Sequence, residues 1–137
     1  MRLQLTKRAD YGVRAMLALA RAPDERLSAP RIAATMHIPG HFLPQVMADL
    51  ARAGLVHSTA GRLGGYRLAR EPGGITLLEV IDAVEGDERR YDCVLRGAPC
   101  GLDGRCELHE FFADARAALL DRLATTNLAE VPPVVWD

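Results

Sequence analysis

Aromatic side chains are scarce in this chain, only 5% of 137 residues, so a core here has to be built from Leu, Val, Ile, Met and Ala. Small cores of that kind are usually assembled from helices. Long uncharged runs are missing too: no stretch approaches the roughly 20 apolar residues that cross a bilayer. Asp10 and Arg14 interrupt the region after Arg2, Lys7 and Arg8, so the continuous apolar core of a secretory signal is lacking and a cytoplasmic location is expected. There is no phosphate loop, no Ser/His/Asp arrangement and no paired-carboxylate motif, which argues against an enzyme. Repeats and low-complexity tracts are also missing. The remaining composition, 49% hydrophobic and 26% charged, is that of one globular domain and excludes disorder or collagen-like structure.

The net charge of −1 hides a division along the chain. Residues 1–70 hold 11 Lys+Arg against 4 Asp+Glu, a net of +7, and residues 71–137 hold 6 against 14, a net of −8. A polyanion would be drawn to the first half alone, because screening limits each field to about 8 to 10 Å. Cysteine is rare and clustered: Cys93, Cys100 and Cys106 are the only three. An odd, clustered set in a reducing compartment points to ligands or redox sensing sooner than to structural crosslinks.

Helical periodicity predicts a first helix over Lys7–Ala22, stopped by Pro23-Asp24. Ser28 can cap a second helix ending at His37, and a third should run from about Phe42 to Gly54 with Phe42, Leu43, Val46, Met47 and Leu50 inward. Pro44 is tolerable there only within the first turn. Two short helices across a tight turn make helix-turn-helix spacing. Leu55–Thr59 and Tyr66–Ala69 flank a Gly-rich tip and predict a hairpin, placed as the wing of a winged helix-turn-helix domain. A fourth helix is expected over Thr76–Val84, and a final one over about Glu107–Thr125, with Leu108, Phe111, Phe112, Ala115, Leu119 and Leu123 on one stripe. That stripe is long enough to bury against a second subunit. The expected fold is thus mainly α with a small β-hairpin. Residues 1–86 would form the winged helix-turn-helix DNA-binding domain, 87–106 a cysteine-bearing loop, and 107–137 a dimerisation helix and tail.

The outer side of the third helix offers His41, Gln45, Asp49 and Arg52. Gln45 can pair bidentately with adenine, and His41 can meet a base edge or a phosphate. Arg62, between glycines at the wing tip, can enter a narrow minor groove, and Arg31 adds to the basic surface. The spacing Cys93-x6-Cys100-x5-Cys106-x2-His109 is the candidate metal site. Soft thiolates on an irregular loop suit an iron–sulfur cluster or zinc, although the closely spaced ligand pairs typical of structural zinc are missing. His109 lies three residues past Cys106, so on a helix both would point from one face and His109 could be the fourth ligand.

Several segments together resemble one family. They are Lys7-Arg8-Ala9-Asp10-Tyr11-Gly12-Val13-Arg14-Ala15-Met16, Ile38-Pro39 leading to Phe42-Leu43-Pro44-Gln45, Ala53-Gly54-Leu55-Val56, Gly64-Gly65-Tyr66-Arg67-Leu68-Ala69, Ile75-Thr76-Leu77 and the late cysteines. The family is that of the Rrf-two-type winged-helix transcriptional regulators, and the resemblance spans nearly the whole chain. It implies a homodimer, repressor activity on double-stranded palindromic promoter DNA, and often control by an iron–sulfur cluster, 2Fe–2S or 4Fe–4S, that senses iron, redox state or nitric oxide. It also implies Asp10 as a competitor to His109, because in NsrR-like members a carboxylate in this segment reaches the cluster across the dimer. CymR-like members imply an alternative, a metal-free regulator controlled by a protein partner or by thiol oxidation. Two positions depart from the pattern: Ala60 stands where well-known members carry the wing arginine, and Pro44 where some carry an acidic base-reading residue.

Overall fold

The computed structural model describes residues 5–86, 93 and 107–133. Helix α1 (Lys7–Arg21) starts where the Thr6 hydroxyl accepts from the Ala9 N–H, satisfying one of the donors a helix start leaves open. Helix α2 (Ala29–Met36) is capped by Ser28 and stops at His37, which takes the left-handed conformation at φ 53°. Helix α3 (Leu43–Arg52) has no side-chain cap. Pro44 sits in its first turn, where a missing N–H costs no helical bond.

Strands β1 (Val56–Thr59) and β2 (Gly65–Leu68) pair antiparallel, with Val56 opposite Leu68 and Thr59 opposite Gly65. Leu27, just before α2, exchanges two backbone hydrogen bonds with Tyr66 at 2.9 and 2.8 Å, which fastens the wing to the helical body. Both glycines at the base of the hairpin tip are demanded by close approach. A Cβ on Gly64 would lie 2.0 Å from the Thr59 carbonyl oxygen. Gly65, at φ 138°, would place one 2.7 Å from the Leu27 carbonyl oxygen.

A short 3-10 turn (Pro72–Gly74) leads to α4 (Leu77–Glu85), which opens on a reciprocal capping box between Thr76 and Glu79. Burial pushes the Glu79 carboxyl up, but the Thr76 backbone N–H, followed by the hydrogen bond and charge of Arg70, outweighs it and holds the carboxyl below its ordinary value. A depressed carboxyl contributes stability above its unfolded pKa, and that contribution is lost as the pH falls through the folded value. Thr76→Ala should therefore cost about 1 kcal/mol in urea unfolding near neutral pH. The penalty of Glu79→Gln should fade below pH 4.5, the unfolded reference. A pH-independent Glu79→Gln penalty would mean that the carboxylate's charge contributes nothing there.

Helix α5 (His109–Thr125) begins two residues later than expected, with Leu108 in the cap position but no side-chain cap. Its apolar stripe also divides. Phe112, Leu120 and Leu123 are half-buried, with Leu123 packed against the core, while Leu108, Phe111 and Leu119 face outward at 48%, 73% and 50% exposure. The chain after α5 then returns to the body formed by α1 to α4. Leu77 donates to the Thr126 carbonyl and Leu128 to the Ile75 carbonyl, at 2.9 and 3.0 Å, and Leu128 is buried. The single core joins Met16, Leu19, Ile32, Met36, Leu43, Met47, Leu50, Ile75, Val80 and Leu128. It holds α2 and α3 against α1 and leaves the opposite side of α3 to solvent.

Candidate nucleic-acid interface and cysteine segment

The turn between α2 and α3 places His41 on the surface, its ring 4.7 Å from that of Phe42, which in turn lies 5.4 Å from Tyr11 of α1. The start of α3 is thus anchored from below by aromatic packing. Gln45 and Arg52 are exposed on α3, with the Arg52 side chain 73% accessible. Arg31 is exposed on α2. Arg62 is exposed at the wing tip beside Leu63, which is 90% accessible. His41, Gln45 and Arg52 share one stretch of chain, whereas Arg62 stands apart on the hairpin.

Asp49 departs from the expectation. Placed by helical spacing among the outward residues, it is 5% exposed and accepts hydrogen bonds from Arg8, Gln45 and Arg52. A carboxylate pointing at DNA would be repelled, whereas here two guanidiniums and an amide take up its charge. The spacing carried a partial signal, since Gln45 and Arg52 sit four residues before and three after it. Arg8, 41 residues away, carried none.

Of the candidate metal ligands, Cys93 is half-buried and His109 is half-buried as the first residue of α5. Cys100 and Cys106 lie outside the described residues. Asp10, on α1, has both carboxylate oxygens bonded to Arg14, at 3.0 and 2.9 Å. Arg14 also donates to the Met36 carbonyl and lies 5.9 Å over the Tyr11 ring. Among the described residues, no group of three or more His, Cys, Asp or Glu side chains is assembled to hold a metal. No helix among them is long and apolar enough to cross a membrane.

Three helices around a helix-turn-helix, with a two-stranded hairpin beside the exposed helix, define a winged-helix DNA-binding protein. The family model described as "Rrf2: Iron-dependent Transcriptional regulator" matches residues 5–132, and the chain belongs to that family. It is 35% identical over 123 residues to the HTH-type transcriptional regulator NsrR of Shouchella clausii, covering 88% of this chain and 83% of the relative. Among solved structures it is similar to CymR, described as the global cysteine regulator of B. subtilis, with a TM-score of 0.80, 30% identity and coverage of 94% and 95%. It is also similar to T. potens IscR, with a TM-score of 0.76, 28% identity and coverage of 93% and 85%. The chain is a DNA-binding transcriptional regulator and not an enzyme.

Proposed function

We propose that the protein is a homodimeric repressor whose binding to a palindromic promoter site is set by an iron–sulfur cluster held by Cys93, Cys100 and Cys106, with His109 as fourth ligand. The observation that carries this reading is the place of the thiols. All three fall in the segment joining α4 to α5, and His109 opens the helix whose outer face, at Leu108, Phe111 and Leu119, is left for a second subunit. The donor set suits the group: three soft thiolates and an imidazole. When bound, the cluster would supply iron–sulfide chemistry sensitive to oxidation, iron supply or nitric oxide. The chain's part is to couple the state of the bound cluster to α5 and so to the spacing of two wings. Asp10 is the less favoured fourth ligand, because ligation would require it to give up its two bonds to Arg14.

The likeness to CymR favours a second reading, a metal-free regulator controlled by a protein partner or by thiol oxidation. Protein purified without oxygen should be brown, with visible charge-transfer absorbance and stoichiometric iron and sulfide. Colourless, iron-free dimer that still binds DNA would favour the second reading.

For DNA readout, α3 supplies Gln45 and Arg52 and the turn before it His41, while Arg62 on the wing and Arg31 on α2 supply further charge. Arg62→Ala should weaken a specific site by about 1 to 3 kcal/mol, and a lower salt slope would assign it to phosphate contact. Gln45→Ala should relax sequence preference more than total affinity. Unchanged discrimination in that variant would remove α3 from base readout.

A further inference from the structure

Asp49 is the one buried charged side chain among the described residues, and nothing in regulator function requires a carboxylate in the middle of a DNA-reading helix. Its surroundings suggest what it does. Oδ1 accepts from Gln45 Nε2 at 3.1 Å and from Arg52 Nη1 at 3.2 Å, and Oδ2 accepts from Arg8 Nη2 at the start of α1. Two of its three partners are outward residues of α3, and the third ties α3 to a different helix. We propose that Asp49 is a positioning residue for sequence readout, fixing the amide of Gln45 and the guanidinium of Arg52 before DNA arrives. This rests on the reading that α3 enters the major groove.

The argument begins with donor chemistry. An ionised carboxylate only accepts, so the end of the Gln45 amide that faces Asp49 must be its nitrogen. That leaves Oε1 and the second Nε2 hydrogen for an incoming base edge. Adenine presents the complementary pair, an N6 hydrogen and the N7 acceptor, on its major-groove edge. A glutamine without such a tether samples both amide orientations and several rotamers, and binding must then select one. Arg52, with its side chain 73% accessible, has the same freedom to lose, and the same oxygen restrains it.

Charge adds a second consequence. Two guanidiniums against one carboxylate leave this cluster with a net of one positive charge, so Asp49 lowers general attraction to phosphate while it orders the groups that discriminate. Affinity and specificity should therefore separate when the carboxylate is neutralised, which a purely structural buried ion pair would not do.

The test uses the full-length protein with three probes: the duplex that wild type selects from a randomised pool, its single-base variants, and an unrelated duplex of equal length. Asp49→Asn keeps the size of the side chain and removes the charge. It should lose roughly tenfold in discrimination at the base pair that Gln45→Ala also affects. It should bind the unrelated duplex as tightly as wild type or tighter, and add no further loss in a Gln45→Ala background. Should Asp49→Asn not fold, Arg8→Gln removes the tie from the other side, leaves Asp49 in place, and should show a smaller loss at the same base pair. Retained discrimination in the variant tested overturns the proposal. So does a parallel loss on all three probes with a falling Tm, since that is the signature of a structural role alone. If Gln45→Ala and Arg52→Ala both leave the selected sequence unchanged, the major-groove reading itself fails and takes the proposal with it.

Discussion

Leu119→Glu should convert the proposed homodimer to a monomer in sedimentation. In the single chain Leu119 is 50% exposed, and with Leu108 and Phe111 it forms an apolar face on α5 that the core does not cover. These residues are spaced 3 and 8 apart, so they stack along one side of a helix of 17 residues, about 25 Å long. On the adjoining strip Leu123 packs against the chain's own core, with Phe112 and Leu120 half-buried, so the more exposed strip is surplus to the fold of one subunit. A glutamate in a two-fold seam meets its own symmetry mate, and burying an unpaired charge costs several kcal/mol. The monomer should keep its helical content, because Leu119 contributes little to the core of one subunit, yet it should lose most affinity for a two-half-site operator. A variant that still sediments as a dimer would place the interface elsewhere.

The parts of the fold that could be read from the sequence are those set by local chemistry. Ser28, the Pro23-Asp24 stop, Gly54 and Gly86 all act within a turn of the elements they bound, and α1 to α4 fall within one or two residues of expectation. The hairpin was legible for the same reason, although Gly65 lies inside β2 and not in the loop, because its role is to let the strand pass close to Leu27. What could not be read depends on distant partners. Leu128 looks like tail, and only its pairing with Ile75 brings it into the core. Asp49 looks like a surface charge on a helical wheel, because a wheel shows the angle of a residue and not the Arg8 waiting on another helix. The start of α5 was misplaced because Leu108 supplies no cap. In the site, the exposed positions of His41, Gln45, Arg52, Arg62 and Arg31 were legible from spacing and polarity. How Gln45 and Arg52 are oriented was not.

The largest spectroscopic effect is expected at the cysteines. Cys93→Ser, Cys100→Ser and Cys106→Ser should each abolish or nearly abolish the visible absorbance of anaerobically purified protein. Loss of one of three thiolates leaves iron open to solvent and oxygen. His109→Ala should be milder, altering the spectrum, potential or lifetime while some iron is retained, because a nitrogen ligand raises the potential relative to a thiolate and its removal leaves the three thiolates in place. Asp10→Ala should have little spectral effect, since its carboxylate is already satisfied by Arg14. It should instead release Arg14, whose remaining contacts are to the Met36 carbonyl and the Tyr11 ring among others, and so act on α1 packing. The reverse pattern, with Asp10→Ala changing the spectrum and His109→Ala silent, would mean that α1 of the partner subunit closes the site. Ligation would then compete directly with the Asp10–Arg14 pair, and the state of the thiol segment would be felt in the helix that carries Tyr11 beneath Phe42, at the mouth of α3. If all five variants match an iron-free, colourless wild type, the three thiols hold no cluster, and control must come through a protein partner or through their own oxidation.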